Sequence, residues 1–356
     1  MYDVIVVGGG PAGSVCAAFC ARAGLATLLL ERSVFPREKV CGDCLNPGCW
    51  DILERLEVSG EVLEEPHSRL ESVEFAGLRG VHMRYTMKDS ARGHIAIKRS
   101  LLDDVLLRRA VSCGVTVRQG VTVESVKRAW KVNTREEGAF ESAILVAADG
   151  RNSTIARLAG LLPASAPERV AVQTHLRAPA RPGNPVTLRL LSHGYCGFNA
   201  VGEGELNLCL VGRPARIPNL KSWAAEVFPL SPDQTWRTIA PLARAPAPCA
   251  PGDGLLLVGD AARVLEPFTG EGIYYALASG ELAARSIIRR AAGGGADRAF
   301  ADYRREHARL YAGRLWINRL AKAAVLHPRL GNFALERLRP GILSFLTAKV
   351  LGEPGR

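Results

Sequence analysis

Apolar residues near the start of the chain form continuous runs and do not alternate with polar ones. Tyr2–Val7 is a short run rich in valine, which is typical of a strand buried on both faces of a parallel sheet. A glycine-rich turn at 8–13 follows, then an alanine- and cysteine-rich helical stretch that ends near Gly24, and a second apolar run at 26–30. A strand, turn, helix and strand within about 30 residues predict a βαβ unit.

The rest of the chain changes between helical and strand-like periodicity. We predict helices at 51–63 and 99–113, strands at 70–75, 80–85, 114–117, 143–148 and 254–258, and strand-like segments from 170 to 211. The pattern after the last strand is mostly helical. The predicted fold class is α/β, a doubly wound Rossmann-like domain with an inserted mixed, mostly antiparallel substrate sheet and a C-terminal helical segment.

Length and composition are those of an ordinary globular protein. With 356 residues, 47% of them hydrophobic and 23% charged, the chain is long enough for about two domains. No stretch approaches the roughly 20 apolar residues of a transmembrane helix. No basic segment precedes the first strand, as it would in a signal peptide. We therefore expect a cytoplasmic protein whose nine cysteines are mostly free thiols.

The net charge of +11 is concentrated in the C-terminal part of the chain. From Arg285 onward there are 15 Lys and Arg residues against 5 Asp and Glu residues, so the preceding part is nearly neutral. Such a segment is either a solvated basic surface or a contact for an anionic partner, a membrane surface or an acidic carrier protein. Contact with a membrane would make the protein peripheral to it. We expect no nucleic-acid binding, because no nucleic-acid-binding motif accompanies the charge.

The turn after the first strand carries the strongest chemical signal. Gly8 permits the tight turn, Gly10 lets the backbone approach a pyrophosphate, and Gly13 allows the helix to pack close to the strand. The amides that begin the helix face the phosphate charge. Glu31 ends the second strand, where its carboxylate is placed to bond a ribose hydroxyl. This arrangement predicts a bound dinucleotide.

Two later apolar runs, each predicted to be a buried strand, are followed by an aspartate next to a glycine. Asp149 and Gly150 lie in Val-Ala-Ala-Asp-Gly-Arg, and Gly259 and Asp260 lie in Leu-Val-Gly-Asp-Ala-Ala. With the glycine turn, they make the chain resemble the para-hydroxybenzoate-hydroxylase-like flavoproteins. The resemblance implies that FAD is the cofactor, with Asp260 at its ribityl chain and Asp149 by its pyrophosphate. Arg99, in Arg-Ser-Leu-Leu-Asp, matches the family's flavin-contacting arginine.

Two further segments narrow the resemblance to the geranylgeranyl reductase branch, whose members reduce carbon–carbon double bonds in prenyl chains or related lipids. They are Pro-Arg-Glu-Lys-Val-Cys-Gly-Asp at 36–43 and Glu-Pro-Phe-Thr-Gly-Glu-Gly-Ile at 266–273. A helix beginning near Gly272 would stabilise negative charge on the reduced ring. The cofactor contacts implied in this way are Gly8, Gly10, Pro11, Ala12, Gly13, Glu31, Arg32, Cys41, Arg99, Val123, Asp149, Gly150, Gly259, Asp260, Pro267, Gly270, Glu271, Gly272 and Ile273.

The same interpretation divides the chain into domains. We assign 1–70, 95–160 and 252–290 to a discontinuous FAD-binding domain, 71–94 and 161–251 to a substrate domain, and 291–356 to a basic helical segment. In the reductase branch the substrate strand often reads Tyr-x-Trp-x-Phe-Pro, whereas this chain has Tyr-Cys-Gly-Phe-Asn-Ala from Tyr195. The missing Trp and Pro leave room for a smaller or aromatic substrate. His193 and Tyr195 are candidate proton donors.

The cysteines allow a rival interpretation. The spacing of Cys44 and Cys49, with Leu-Asn-Pro-Gly between them, resembles the redox-active pair of flavin disulfide reductases. Those enzymes carry a second GxGxxG domain, which this chain lacks. Cys41 matches the cysteine of the reductase branch, so Cys41 and Cys44 are candidate catalytic thiols near the flavin. No paired cluster of Cys or His follows, and we predict no metal site.

The leading interpretation is an FAD-dependent oxidoreductase that reduces a carbon–carbon double bond of an apolar substrate (prenyl, polyene or lipid-like). Hydride would pass from N5 of the reduced flavin. The alternative is an FAD-dependent monooxygenase acting on an aromatic or carrier-bound substrate, because the fold is shared. A thiol–disulfide oxidoreductase using Cys44 and Cys49, and a flavin carrier without turnover, rank lower. No second nucleotide fold is visible, so NAD(P)H or another external donor would supply the electrons. The Trp-x-Trp-x-Ile-Pro signature of flavin-dependent halogenases is absent, which disfavours halogenation.

Overall fold

The structure of the protein is a computed structural model. It describes residues 1–78, 80, 82–87, 93–127, 129–162, 168–179, 181, 183–242, 244–265 and 270–313. Within the C-terminal part it describes residues 315–316, 320, 323, 328–337, 341–342, 344 and 347–348.

The strands and helices follow one another closely along the chain. The strands are β1 (Tyr2–Val7), β2 (Thr27–Glu31), β3 (Cys44–Leu45), β4 (His67–Leu70), β5 (Ser72–Ala76), β6 (His82–Thr86), β7 (His94–Ile97), β8 (Thr116–Gln119), β9 (Val123–Lys127), β10 (Lys131–Thr134), β11 (Gly138–Ala147), β12 (Val170–Arg177), β13 (Pro185–Leu191), β14 (Gly194–Gly202), β15 (Glu205–Gly212), β16 (Arg237–Ile239) and β17 (Leu255–Leu257). The helices are α1 (Pro11–Arg22), α2 (Trp50–Arg55), α3 (Ser59–Glu64), α4 (Arg99–Ser112), α5 (Thr154–Leu158), α6 (Ile217–Val227), α7 (Gly272–Ala291), α8 (Ala296–Tyr311) and a C-terminal helix, Pro328–Arg337.

The first sheet has β1 near its centre. Its order is β8-β2-β1-β11-β10-β9, and β17 also pairs with β11. The strands from β8 to β11, and β17, are parallel, whereas β9, β10 and β11 form an antiparallel ribbon. Val4, Ile5 and Val6 are fully buried, as a central parallel strand requires. Helix α1 packs against α7 and α4. The predicted α/β fold with a Rossmann-like domain is confirmed.

The second sheet is mixed and mostly antiparallel, with the order β16-β12-β15-β14-β13-β5-β6. Only the β13–β5 pairing is parallel among the strand pairs described in this sheet. A small third sheet, β3-β7-β4, lies beside these two. The strands of the second sheet fall within the ranges 71–94 and 161–251 of the predicted substrate domain.

The two faces of the second sheet carry different neighbours because side chains alternate along a strand. On one face Leu208 and Leu210 pack with Leu220 of α6. On the other face Tyr195 and Val211 form a separate apolar cluster, which borders the cavity described below. One face of this sheet is therefore covered by a helix, and the other is left for a ligand.

The structure differs from the predicted elements in several places, and three of them have a clear physical reason. The predicted helix at 51–63 is two short helices, because Glu57 has a positive φ of 58° and ends α2. The strands β9 and β10 were not predicted, since half-exposed hairpin strands have a weak apolar pattern. Helix α6 was also missed; it lies within a segment that reads as loop and begins with Pro218 in its first turn. In the part of the chain that the structure describes, no helix is long and apolar enough to cross a membrane.

Helices α1 and α7 make a close backbone contact, which gives a test of the fold. A Cβ on Gly280 would overlap the carbonyl oxygen of Ala12, so Gly280→Ala must separate the two helices. We expect this change to cost about 1–3 kcal/mol of unfolding free energy. The matched control is Gly60→Ala in α3, where nothing lies within 4 Å of the added atom. Denaturant unfolding should show the control to be neutral or slightly stabilised; equal losses in both variants would contradict this packing.

Candidate functional site

A cavity of about 1320 Å³ begins where the parallel strands end. Val7, Glu31, Ala148 and Val258 mark the carboxyl ends of β1, β2, β11 and β17 in its wall. Ligands of open α/β sheets bind at this edge. The volume exceeds the roughly 300–1,000 Å³ of ordinary small-molecule sites. The cavity therefore has room for a dinucleotide and a second molecule.

Most of the predicted site residues meet in this cavity. Its lining includes Gly8, Gly10, Pro11, Ala12, Glu31, Arg32, Cys41, Arg99, Val123, Asp149, Gly150, Gly259, Asp260, Gly270, Glu271, Gly272 and Ile273, and also the candidate catalytic residues Cys44 and Tyr195. Pro267 lies outside the described residues. Gly13 lies beneath the turn, where a Cβ would overlap the carbonyl oxygen of Gly8. The predicted role of Gly13 in close helix–strand packing agrees with that contact.

The glycine turn leaves an open space in front of α1. Gly8 has a φ of 108°, and its backbone abuts Ala148, so the turn closes tightly against the end of β11. A Cβ on Gly10 would lie 3.6 Å from Nη2 of Arg37 and 3.9 Å from Nη2 of Arg99. No acidic side chain occupies the first turn of α1. Amide groups and two guanidinium groups therefore face the same small volume, which suits a phosphate group.

A buried carboxylate holds the two arginines in place. Asp103 is fully buried and accepts hydrogen bonds from Nε and Nη2 of Arg99 at 2.6 and 2.7 Å. Nη1 of Arg37 lies 3.0 Å from the same carboxylate. Burial opposes the charge of Arg99, but the Asp103 carboxylate outweighs it and raises the pKa of Arg99 above its usual value. Sequence reasoning missed Arg37 and Asp103, although both stand inside motifs that it used.

A second cationic group extends from the phosphate space toward Asp260. Burial, followed by the charges of Arg99, Arg37 and Arg151, lowers the pKa of Lys39 to about 8. Nη2 of Arg151 lies 2.9 Å from Oδ2 of Asp260. Arg37, Arg99, Lys39 and Arg151 thus form a cluster of cations around the phosphate space, and such a cluster attracts the anionic pyrophosphate of a dinucleotide.

Glu31 lies at the other side of the turn, at the end of β2. Its Oε2 accepts a hydrogen bond from the amide of Gly9 at 2.7 Å, and its Oε1 accepts one from the amide of Ser33 at 2.9 Å. These bonds order both loops that border this end of the cavity. The predicted contact of Glu31 with a ribose hydroxyl stays a prediction, and the position of the carboxylate in the cavity wall is consistent with it.

Asp149 has a structural role that the sequence did not reveal. Its Oδ2 accepts hydrogen bonds from the amides of Thr154 at 2.6 Å and Ile155 at 3.2 Å, so the side chain caps α5. Burial raises the pKa of Asp149. The backbone of Asp149 lies against Gly8. The residue therefore borders the phosphate space with its main chain, and its carboxylate is turned toward the first turn of α5.

The N-terminus of α7 closes the cavity at its far side. Gly270 has a φ of 67°, and Gly272 begins the helix. Among the residues that the structure describes, none lies within 4 Å of a Cβ added at either glycine, and the bare backbone of both borders the cavity. Such a surface accepts a flat ring, and the helix N-terminus favours negative charge on that ring.

The cysteines near the cavity are neutral thiols. Burial raises the pKa of Cys41 and of Cys44, and it raises that of Cys49 to about 12. All three sulfur atoms are free, and Cys49 is fully buried. A redox-active pair needs a reactive thiolate, which this environment disfavours. The geometry thus supports the interpretation of Cys41 and Cys44 as free thiols beside the flavin site.

The two candidate proton donors on the substrate strand are separated. Tyr195 is buried in the cavity wall. His193 is exposed in the turn between β13 and β14, outside the cavity lining that the structure describes. The prediction for His193 is therefore corrected, because its hairpin position points to solvent. His193 and Tyr195 are only two positions apart, but β14 begins at Gly194, so His193 lies in the turn and Tyr195 lies in the strand.

A comparison with protein-family models gives a decisive match. The model described as an FAD binding domain matches residues 1–186, more than half of the 356 residues. The chain belongs to this FAD-binding family. FAD is its cofactor, as predicted, and the protein is an FAD-dependent oxidoreductase of the para-hydroxybenzoate-hydroxylase-like superfamily.

Curated relatives of this oxidoreductase include several reductases. It is 30% identical over 310 residues to menaquinone reductase of Mycolicibacterium smegmatis, covering 79% of this chain and 75% of that protein. It is 30% identical over 314 residues to digeranylgeranylglycerophospholipid reductase 2 of Methanothermobacter thermautotrophicus, covering 80% and 78%. It is 28% identical over 331 residues to conditioned medium factor receptor 1 of Dictyostelium discoideum; 81% of this chain spans 63% of that longer protein. The resemblance to the geranylgeranyl reductase branch is confirmed.

Solved structures with the same fold include enzymes of different chemistry. The flavin-dependent brominase Bmp2 superposes with a TM-score of 0.80 at 21% identity, covering 99% of this chain and 93% of that one. A geranylgeranyl bacteriochlorophyll reductase-like protein of Thermoplasma acidophilum superposes with a TM-score of 0.76 at 22% identity, covering 99% and 92%. At a sequence identity of 21–22% the similarity shows the fold alone, so the reaction type has to be inferred from the residues of the site.

Gly10 and Gly13 should respond differently to the same substitution. Gly10→Ala places a methyl group in the phosphate space without a clash, so we expect a folded apoprotein whose FAD affinity falls at least about tenfold, or 1.4 kcal/mol. Gly13→Ala overlaps the backbone of Gly8 and should lower thermal stability in the apoprotein itself. FAD titration and thermal unfolding measure the two effects. Unchanged FAD affinity in Gly10→Ala would contradict the assigned phosphate position.

Lys39 predicts a pH dependence of cofactor binding. Its pKa of about 8 in the apoprotein rises when an anion binds beside it, so binding is strongest below pH 8. Above this pH, Lys39 must take up a proton from the solvent when FAD binds, so the FAD affinity should fall by up to about tenfold per pH unit. Lys39→Met should bind FAD more weakly at pH 7 and show a flatter profile. Fluorescence titrations from about pH 7 to 9.5 measure this; parallel profiles for both proteins would count against it.

Proposed function

We propose that this oxidoreductase reduces a carbon–carbon double bond of an apolar substrate. The observation that carries the proposal is the composition of the cavity beyond α7. Its wall there is formed by the free face of the second sheet and by the C-terminal part of the chain. The apolar residues in this wall include Val73, Phe75, Val186, Leu188, Leu190 and Trp316.

An apolar wall fits the proposed reaction in two ways. It binds a hydrocarbon chain through the surface that both bury, at roughly 25 cal/mol per Å². It also excludes water from the space in front of the bare backbone at Gly270 and Gly272. Bound FAD supplies hydride when reduced, and the electrons come from NAD(P)H or another external donor. The protein orients the substrate between Tyr195 on the sheet and the N-terminus of α7.

The relatives support the same chemistry. Two curated proteins that resemble this chain over most of their length are named as reductases of menaquinone and of digeranylgeranylglycerophospholipid. Other relatives are halogenases, among them a tryptophan 2-halogenase of Chondromyces crocatus at 26% identity over 80% of this chain and 60% of that protein. The apolar wall favours the reductase assignment over one that uses oxygen on a polar aromatic compound.

A direct test follows the flavin spectrum. FAD-loaded protein is photoreduced without oxygen, then mixed with prenyl, polyene or enone compounds. We expect an alkene to restore the oxidised spectrum and to appear as its reduced product. Leu188→Gln, in the cavity wall, should slow this reoxidation at least about tenfold, equivalent to 1.4 kcal/mol. The control Leu63→Gln alters an exposed leucine of α3 and should behave as the unmodified protein.

The same experiment separates the alternatives. Substrate-triggered oxidation of NAD(P)H with incorporation of oxygen would favour a monooxygenase. Reoxidation by oxygen alone, with no effect of any alkene or aromatic compound, would favour a flavin carrier. Loss of all reductase activity in Cys49→Ser, with a thiolate–flavin charge-transfer band in the unmodified protein, would favour thiol–disulfide exchange.

We also propose that the C-terminal part contacts an anionic membrane surface, from which an apolar substrate enters. Trp316 and Leu320 line the cavity, yet they are 42% and 54% exposed. They therefore mark an apolar entrance rather than a closed core. Phe333 and Ile342 add exposed apolar surface to this part of the chain, and its excess of Lys and Arg complements anionic headgroups.

Sedimentation with lipid vesicles tests the membrane contact. We expect binding to vesicles that contain phosphatidylglycerol, weaker binding to pure phosphatidylcholine, and release by salt. Trp316→Glu with Leu320→Glu should weaken binding. Val111→Glu, at an equally exposed position of α4, should leave it unchanged. Binding of a soluble acidic protein in the absence of vesicle binding would overturn the proposal in favour of a carrier.

A further inference from the structure

A group of buried polar residues lies behind the cavity wall at Cys41. Oδ2 of Asp43 lies 2.8 Å from Nε2 of His175, on β12. The amide of Cys41 donates to Oε1 of Gln173 at 3.3 Å, and Nδ2 of Asn207 donates to the carbonyl of Cys41 at 2.9 Å. These bonds tie the loop that lines the cavity to the second sheet. The cofactor site described above uses none of the polar side chains in this group.

Asp43 occupies its position at an energetic cost. Its side chain is fully buried, and its backbone has a φ of 60°. A residue with a Cβ is strained in this region, where glycine is not. In addition, Oδ1 of Asp43 has no hydrogen-bond partner among the described residues. Burial raises the pKa of this carboxyl. A strained, desolvated carboxylate next to a functional cavity is a candidate for a functional role.

His175 lies between two carboxylates. Besides Asp43 at Nε2, it has Glu38 at Nδ1, where Oε2 lies 3.9 Å away. Oε2 of Glu38 is buried and has no hydrogen-bond partner among the described residues. The side chain of Glu38 belongs to the cavity wall. Asp43, His175 and Glu38 thus form a row of three side chains that leads from the fully buried carboxylate of Asp43 to the cavity.

Lys39, next to Glu38 in the cavity wall, has a pKa that is lowered to about 8 in the apoprotein, and an anion bound beside it raises that pKa again. Cys41 and Cys44 on the same loop, and Cys209 on β15, are thiols whose pKa burial raises, so they stay neutral. Arg99 of α4 stays cationic. Glu38, His175 and Asp43 are therefore the groups near Cys41 that can accept a proton when negative charge is added to the cavity.

We propose that Glu38, His175 and Asp43 form a proton-holding site that takes up one proton when the bound FAD is reduced. Reduction of FAD held at this site would add two electrons and one proton, and so one negative charge, beside these residues. A negative charge nearby raises the proton affinity of the three residues. In this site the strained Asp43 holds the imidazole of His175, and Glu38 connects that imidazole with the cavity.

The proton is consumed in the reduction of the alkene, and this step rests on the proposed function. FAD held at this site would supply the hydride for one new C–H bond as the π bond of the alkene breaks. The proton passes from Glu38 to the adjacent carbon, forming the second C–H bond, and His175 reprotonates Glu38. Two electrons from the external donor and two protons thus account for the two hydrogens gained by the substrate.

The uptake of the proton is tested without any substrate. The midpoint potential of FAD in the loaded protein is measured against pH with dithionite and reference dyes, and the slope gives the protons bound per electron pair. We expect about two protons for the unmodified protein and about one for His175→Gln between about pH 6 and 8. His193→Gln alters an exposed histidine and should keep the value of two. Equal slopes for the unmodified protein and His175→Gln would overturn the proposal.

Asp43→Gly separates this role from a structural one. Glycine accepts the positive φ without strain, which offsets part of the lost contact with His175, so the variant should fold and bind FAD. It should nevertheless lose the second proton. Retention of two protons in a folded, FAD-loaded Asp43→Gly would also overturn the proposal. None of these measurements uses an alkene, so their failure leaves the carbon–carbon reductase assay to be decided independently.

Discussion

The attraction between a dinucleotide pyrophosphate and the groups around α1 is the interaction on which the rest of the site depends. Backbone amides alone would bind an anion weakly in water. Here the buried carboxylate of Asp103 fixes Arg99 and Arg37 in front of the helix, within 4 Å of the position of a Cβ on Gly10. The orientation of the arginines is therefore set by the folded protein before the cofactor arrives, which lowers the entropy lost on binding.

The cofactor site also depends on how the two large sheets are joined. The loop that carries Lys39 and Cys41 belongs to the first half of the chain, but its backbone is held by Gln173 and Asn207 of the second sheet. Both side chains are almost completely buried. Because buried polar groups are costly when unpaired, these bonds specify one arrangement of the loop. The position of the cationic cluster is thus coupled to that of the substrate wall.

The cavity changes character along its length. Near the glycine turn it is lined by cations and carboxylates, and near the second sheet it is lined by leucine, valine and aromatic side chains. Side chains along each strand of the second sheet point alternately to its two faces. Helix α6 covers one face, and the apolar side chains of the other face border the cavity. A ligand with an anionic part and a long apolar part can therefore be accommodated only in one direction, with its apolar part against the second sheet.

Local sequence determined the βαβ unit, the glycine turn and a bound dinucleotide beside Glu31, because short-range backbone geometry at Gly8, Gly10 and Gly13 has few solutions. The resemblance to a flavoprotein family implied FAD and a place for Asp260 beside it. Tertiary structure alone decided that Asp43 meets His175, since this contact needs β12 to lie against the loop that carries Asp43. It also brought Arg37 and Lys39 close to Arg99 of α4. It likewise turned Asp149 toward α5 and His193 toward solvent. Periodicity reports which face of an element is buried, but not which distant element covers it, and long-range packing supplies that information.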